Sequence, residues 1–220
     1  MTSEEYNKKQ MEKGDLADWH ISELVKAWQM SNGLEVDGMC GPATLRTFNT
    51  SEPASLFGST ILEIALEELG NGEIGGNNSG PHIARYKNIA DDGDPDDDGA
   101  WCAAFLSWCA GEAASRLGID MPFQKSQGAK RLFKNVAKGG GVYVENPGPG
   151  DFVCWDRGKK GSWQGHIGVV ERVEDGILHT VEGNVGRYPS KVRRFMHDLT
   201  RQDRLEGFVR MPPVKSKALV

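Results

Sequence analysis

Cys102 opens WCAAFLSWCAGEAASRLG, a segment apolar nearly all round that predicts a buried helix of about four to five turns. A thiol attacks carbonyls only as thiolate, and the unpaired N–H groups at a helix N-terminus favour that form. Cys109, two turns deeper in the same stripe, reads instead as a small packed hydrophobe. A thiolate nucleophile needs a base, and His166 opens the strand-like run HIGVV, where its ring is free to face a helix end. His20, His82, His179 and His197 read as surface or satisfied-core histidines. The base in turn needs a polar group to fix its tautomer. VEGN supplies Glu182 and Asn184, two residues apart and so expected on one face of a strand. Together these residues have the composition of a cysteine-based acyl-transfer site, although each alone has a plain structural reading.

A second candidate chemistry lies in DDGDPDDDG. Asp94, Asp96 and Asp98, followed by Gly99, repeat the first half of a calcium loop, in which alternate oxygens converge on a hard cation. Position twelve of such a loop is Phe105, so the bidentate glutamate of an EF-hand is missing. Crowded carboxylates repel unless a cation or solvent screens them. The segment is therefore either a solvated acidic loop, the simpler reading, or a structural calcium site at Asp94, Asp96 and Asp98. Thiol chemistry itself requires no cofactor. The four cysteines have no spacing that suggests a disulfide framework or a zinc site, and read as reduced thiols.

The elements that must position these groups fall into two parts, as expected for 220 residues. In ISELVKAWQM, Ile21, Leu24, Val25 and Trp28 share a helical face, followed by a VDG turn and a short helix starting near Pro42 with Leu45 and Phe48. So small a helical bundle suits an accessory module. NTSEPAS reads as a linker. STILEIALEELG is a helix, NGEIGGNNSGPHIARYKN a glycine-rich loop, and a further helix spans Ala129 to Val136. Short β-rich runs follow: GVYV, DFVCWD, HIGVVERV, ILHTVEG and LEGFVRM. Helices first and strands later predict an α+β domain with an antiparallel sheet. The expected boundaries are 1–48, linker 49–56, 57–213 and tail 214–220.

The net charge of −5 argues against nucleic acid as a partner. No run approaches the ~20 apolar residues of a membrane span, and the polar start shows no signal-peptide core. Reduced thiols and a polar start fit synthesis in a cytoplasm. Arg187, Lys191, Arg193, Arg194, Arg201 and Arg204 form a basic stretch that reads as a solvated strand face or a surface for anionic wall polymers. Trp155 and Trp163, flanking the loop before His166, read as core or as sugar-stacking groups.

KGDLADWHISELVKAWQMSNGLEVDGMCGPATLRTF resembles the peptidoglycan-binding domain found beside cell-wall hydrolases, with Cys40 where an aromatic residue usually precedes GP. DGAWCAAFLSWC, GPGDFVCW, GHIGVV and VEGNV, in this order, resemble the CHAP amidase and peptidase family of phage and bacterial wall enzymes. The resemblance implies a papain-like fold, Cys102 as nucleophile, His166 as base, and Glu182 with Asn184 as orienting residues. It also implies peptidoglycan as substrate, an endolysin architecture in a monomeric enzyme made in a bacterial cytoplasm and released by a holin or another route, and, in some members, calcium just before the cysteine. A side-chain oxyanion donor upstream is expected, with Asn78 and Tyr86 as candidates. The bond cut stays open between the N-acetylmuramoyl-L-alanine amide and one within the peptide stem or cross-bridge. An NlpC-like endopeptidase, an antibacterial effector and a non-catalytic wall-binding tail protein are the alternatives.

Overall fold

The computed structural model describes residues 18–31, 33–41, 44, 55–88, 99–159, 161–201, 204–212 and 214. The chain divides into two compact units, Met1–Glu52 and Pro53–Val220. Asp94, Asp96 and Asp98, and with them the calcium reading, lie outside the described residues, as do Pro42, Leu45 and Phe48.

In the first unit, helix α1 (Asp18–Ser31) does not bury the stripe its apolar pattern suggests. Val25 is buried, but Leu24 is 65% exposed, and the polar Gln29 is buried in its place. The buried face runs through Val25 and Gln29, one helical turn apart. Gln29 Nε2 shares its two hydrogens among Asp37 Oδ1 (2.7 Å), Met39 O (3.0 Å) and Thr44 Oγ1 (3.0 Å), and its Oε1 accepts from Gly38 N (2.8 Å). One amide thus satisfies the polar groups of the VDG turn, and full pairing is the condition under which an amide is buried at little cost.

The second unit is a helical layer on a six-stranded sheet. Helix α2 (Leu56–Glu67) is capped by Ser55, whose hydroxyl accepts from Gly58 N at 3.0 Å, and buries Phe57, Ile61, Ile64 and Ala65. The segment read as an unbroken loop contains a short helix, α3 (Pro81–Lys87), with Pro81 in its first turn and Ile83 and Tyr86 buried three residues apart. Helix α4 (Cys102–Leu117) is buried from Cys102 through Ala110; alanines at 103, 104, 110, 113 and 114 let neighbouring elements approach its backbone. It ends at Gly118, whose φ of 63° permits the left-handed cap. Helix α5 (Ala129–Lys138) buries Leu132, Phe133 and Val136 and turns Lys134 and Lys138 outward.

The strands are β1 (Val142–Val144), β2 (Phe152–Asp156), β3 (Gly165–Glu174), β4 (Ile177–Val185), β5 (Lys191–Asp198) and β6 (Leu205–Arg210). They pair antiparallel throughout, in the order β1-β6-β2-β3-β4-β5. The basic stretch supplies β5, an edge strand in which only Val192 is fully buried, and so it carries little of the alternation that marked the other strands. Phe152, Cys154, Ile167, Val169, Val181 and Val209 face the helices, while Val153, Trp155, Val170, Leu178 and Phe208 form a separate cluster on the other face. That second face is strongly curled. Trp155 on β2 and His197 on β5 are three ladder steps apart, roughly 14 Å on a flat sheet, yet their rings lie 4.7 Å apart. Register breaks at Cys154/Trp155, Val170/Arg172 and Glu182/Val185 supply local bends of the kind such curvature needs.

The PGD turn before β2 is fixed by a buried ion pair. Arg210 Nε donates to Asp151 Oδ1 (3.1 Å) and Nη2 to Oδ2 (3.1 Å), while Gly148 N donates to Oδ2 (2.8 Å). Gly150 has φ 86°, and a Cβ there would stand 2.3 Å from the carbonyl carbon of Gly58, so the turn packs backbone to backbone on α2. No helix among the described residues is long and apolar enough to cross a membrane.

Candidate active site

Cys102 is the first residue of α4, and no side chain caps that helix end, so its first-turn N–H groups point toward the thiol region without a side-chain acceptor. The β3–β4 ladder ends at the Val169–Val181 pair, and beyond it His166 and Glu182 bridge the two strands through their side chains. His166 Nε2 and Glu182 Oε2 are 2.7 Å apart, both residues buried. Gly168 leaves the room: a Cβ there would stand 2.7 Å from Glu182 Cγ. Gly183 does the same on the other face, where a Cβ would meet the Trp101 ring at 2.5 Å. The glycines of GHIGVV and EGN are thus spaces for the acid and for the residue preceding the nucleophile.

The electrostatics follow from burial and pairing. Burial raises the Glu182 pKa, but hydrogen bonds with His166, His197 and Thr180 and the charge of His166 bring it down to about 2. As a carboxylate Glu182 can only accept, so His166 Nε2 carries the proton and Nδ1 offers its lone pair. Nδ1 is buried with no hydrogen bond closed upon it, and it is the ring nitrogen left for the thiol. Burial would push the Cys102 thiol up; the adjacent His166 ring outweighs that, helped by Arg157 and the Ile167 backbone, and the net direction is down. Burial lowers His166, and the Cys102 thiolate and Glu182 more than reverse it. The other buried thiols move oppositely: burial pushes Cys154 up to about 12 and Cys109 well above the ordinary thiol range. Of the three buried cysteines, Cys102 alone is poised as a thiolate.

The expected companions are placed unequally. Asn184 makes no hydrogen bond to His166; the ladder shifts register between Glu182 and Val185, and Asn184 takes φ 60°. Tyr86 is fully buried, stacks on Trp101 (5.8 Å) and gives its hydroxyl to Glu68 Oε2 (2.5 Å). The Asn78 amide nitrogen lies 3.3 Å from the Cβ position of Gly99, beside the chain entering α4. Trp155 is buried and stacks on His166 at 5.7 Å, whereas Trp163 is 53% exposed. Trp163 lines a cleft of about 490 Å³ with Lys130, Lys134 and Lys138 of α5. Gly165 packs on this helix, since a Cβ there would meet Lys130 Cγ at 2.8 Å.

Residues 94–184 match the CHAP domain model, a span that holds Cys102, His166 and Glu182. The second unit carries a CHAP domain. Residues 15–47 match the putative peptidoglycan binding domain. No curated protein matches the chain. Among solved structures, the crystal structure of Ly7917 is 18% identical with a TM-score of 0.46, covering 70% of this chain and 62% of its own. The structure of Ly7917 with the hydrolyzing product of MDP is 17% identical with a TM-score of 0.45, covering 70% of this chain and 63% of its own. The chain thus spans about six-tenths of the length of these structures.

Two residues at the CHAP site escaped the sequence reading, and both fall outside the matched span. Glu73 is buried in the glycine-rich loop; its Oε1 accepts from Trp101 Nε1 (3.2 Å) and Asn78 N (2.9 Å), and its Oε2 from Ser190 N (2.7 Å). It ties that loop to the start of α4 and to the entry of β5. Its signal was a single acid inside a run of Gly, Asn and Ser. His197 approaches the second oxygen of Glu182, with Nε2 2.6 Å from Oε1, and had no local signal.

Proposed function

We propose that this protein is a peptidoglycan hydrolase that cuts an amide bond of the bacterial wall with Cys102 as nucleophile. The observation that carries the reading is the Cys102–His166–Glu182 arrangement within the CHAP domain, in which the thiol at a helix N-terminus is held below its ordinary pKa. His166 Nδ1 takes the thiol proton, and the thiolate sulfur attacks the amide carbonyl. The uncapped N–H groups of the α4 first turn stabilise the oxyanion, with Asn78 as the side-chain donor beside them. The imidazolium returns its proton to the leaving amine, and water, deprotonated by His166, releases the acyl group from sulfur. The cleft with Trp163 and the α5 lysines receives the wall polymer, an aromatic face for sugar and cations for its carboxylates. The match of residues 15–47 to a peptidoglycan-binding model supports wall attachment by the first unit. We place the protein as a monomeric endolysin or effector reaching the wall through a separate release route.

Cys102→Ala tests the reading on purified walls. The variant should sediment with walls as the parent does, while loss of turbidity falls to background. Persistent lysis by the variant overturns Cys102 as nucleophile. Mass spectrometry of the parent's products assigns the bond, because only an amidase leaves glycan strands stripped of peptide.

A further inference from the structure

The Glu182 carboxylate is shared. Oε2 serves His166, while Oε1 receives His197 Nε2 at 2.6 Å and the Thr180 hydroxyl at 2.5 Å. His197 reaches it from β5, where its register partner is Leu178, so the imidazole and the glutamate bend toward each other along neighbouring strands. The rings of His166 and His197 both pack on Trp155, at 5.7 Å and 4.7 Å. Four successive strands, β2 to β5, therefore each place one side chain in a single cluster: Trp155, His166, Glu182 and His197. The mechanism above uses only His166 and Glu182. The charged groups facing the cluster are Arg193, paired opposite Glu182 on β5, and Arg157, which follows β2 and acts on Cys102.

We propose that His197 is a positioning residue for catalysis: by holding Oε1 of Glu182 it fixes the carboxylate plane so that Oε2 meets His166 Nε2 in line. A carboxylate held at one oxygen can rotate about its last bond, and a charge-assisted hydrogen bond weakens steeply once its angle is lost. With His197 in place, the His166 tautomer that presents Nδ1 to the thiol is the only one the site accepts. Thr180 alone leaves one hydroxyl, free to rotate, on Oε1. His197 thus stands to Glu182 as Glu182 stands to His166. The kinetic part of the inference rests on the hydrolase reading; the thiol part does not.

Three variants of the full chain test it: His197→Phe, which keeps a ring on Trp155 without a donor; His197→Asn, whose amide is too short to reach; and His197→Gln, whose amide nitrogen can stand where Nε2 stands. On walls, the Phe and Asn variants should lose about tenfold in kcat with KM within twofold, the scale of groups that act by orienting another, and Gln should rescue most of the loss. Independently of any substrate, the rate of Cys102 alkylation by iodoacetamide is followed against pH. Its acid limb should move to higher pH in the Phe and Asn variants, because a less well-held imidazolium stabilises the thiolate less, and should return with Gln. Parental kcat and a parental alkylation profile in the Asn variant overturn the proposal, even if the Phe variant fails to fold. A loss of kcat with an unmoved alkylation profile also overturns it, since His197 would then act on substrate or on packing. If the parent does not digest walls at all, the hydrolase reading fails while the alkylation series still decides the role of His197.

Discussion

The CHAP unit buries two carboxylates against a base with nearly equal thoroughness: Asp151 and Arg210 are 1% and 6% exposed, Glu182 and His166 1% and 5%. The partners differ. A guanidinium is a fixed cation rather than a proton carrier, and the Arg210 fork meets Asp151 through two nitrogens, so that pair only fixes the PGD turn against β6. An imidazole can give up and regain a proton, and the His166 pair is anchored on one side and left open at Nδ1 on the other. Similar burial thus yields a rivet in one place and a proton carrier in the other, and the identity of the base decides which.

Exchanging the acids separates the two most sharply. Glu182→Gln removes the charge that selects the reactive tautomer, and kcat on walls should fall on the order of 10⁴-fold, the scale seen when a triad acid becomes an amide. Circular dichroism should stay parental. Asp151→Ala leaves Arg210 buried without its partner and should cost about 3–5 kcal/mol in chemical denaturation. Well below its melting temperature its kcat should stay within twofold of the parent. If Glu182→Gln chiefly lowers stability, or Asp151→Ala chiefly lowers kcat, the contrast between rivet and proton carrier is wrong.

The reactive half of this contrast was legible in the chain because Cys102, His166 and Glu182 sit in short ordered motifs whose glycines, Gly168 and Gly183, make the room the site needs. Asn184 lies in the register break after Glu182, where strand alternation no longer says which way a side chain turns. His197 and Glu73 were illegible for another reason. Neither sits in a short motif, and each meets its partner only in the folded sheet, His197 with Glu182 and Glu73 with Ser190, 117 residues away. What brings them in is sheet curl and edge pairing, which local pattern does not encode. Buried polar hubs such as Gln29 look hydrophilic in sequence and are identified only once their partners are in place.

The smallest effect is also the one that tests the contrast most directly, because it follows the protons. The folded Glu182 pKa of about 2 lies below the ordinary 4.5, so its contribution to stability is complete above 4.5 and is lost as pH falls toward 2. His166 is raised above the ordinary 6.5, so its contribution is complete below 6.5 and is lost as pH rises through its folded value. The parent's stability advantage over Glu182→Gln, measured by guanidinium denaturation, should therefore be greatest between pH 4.5 and 6.5 and shrink on both sides. The advantage over Asp151→Ala has no imidazole to lose and should persist through the upper limit. A Glu182→Gln difference that stayed level from pH 6 to pH 10 would mean that the charge on His166 adds nothing to its pair with this carboxylate, and would remove the distinction between the two pairs at its source.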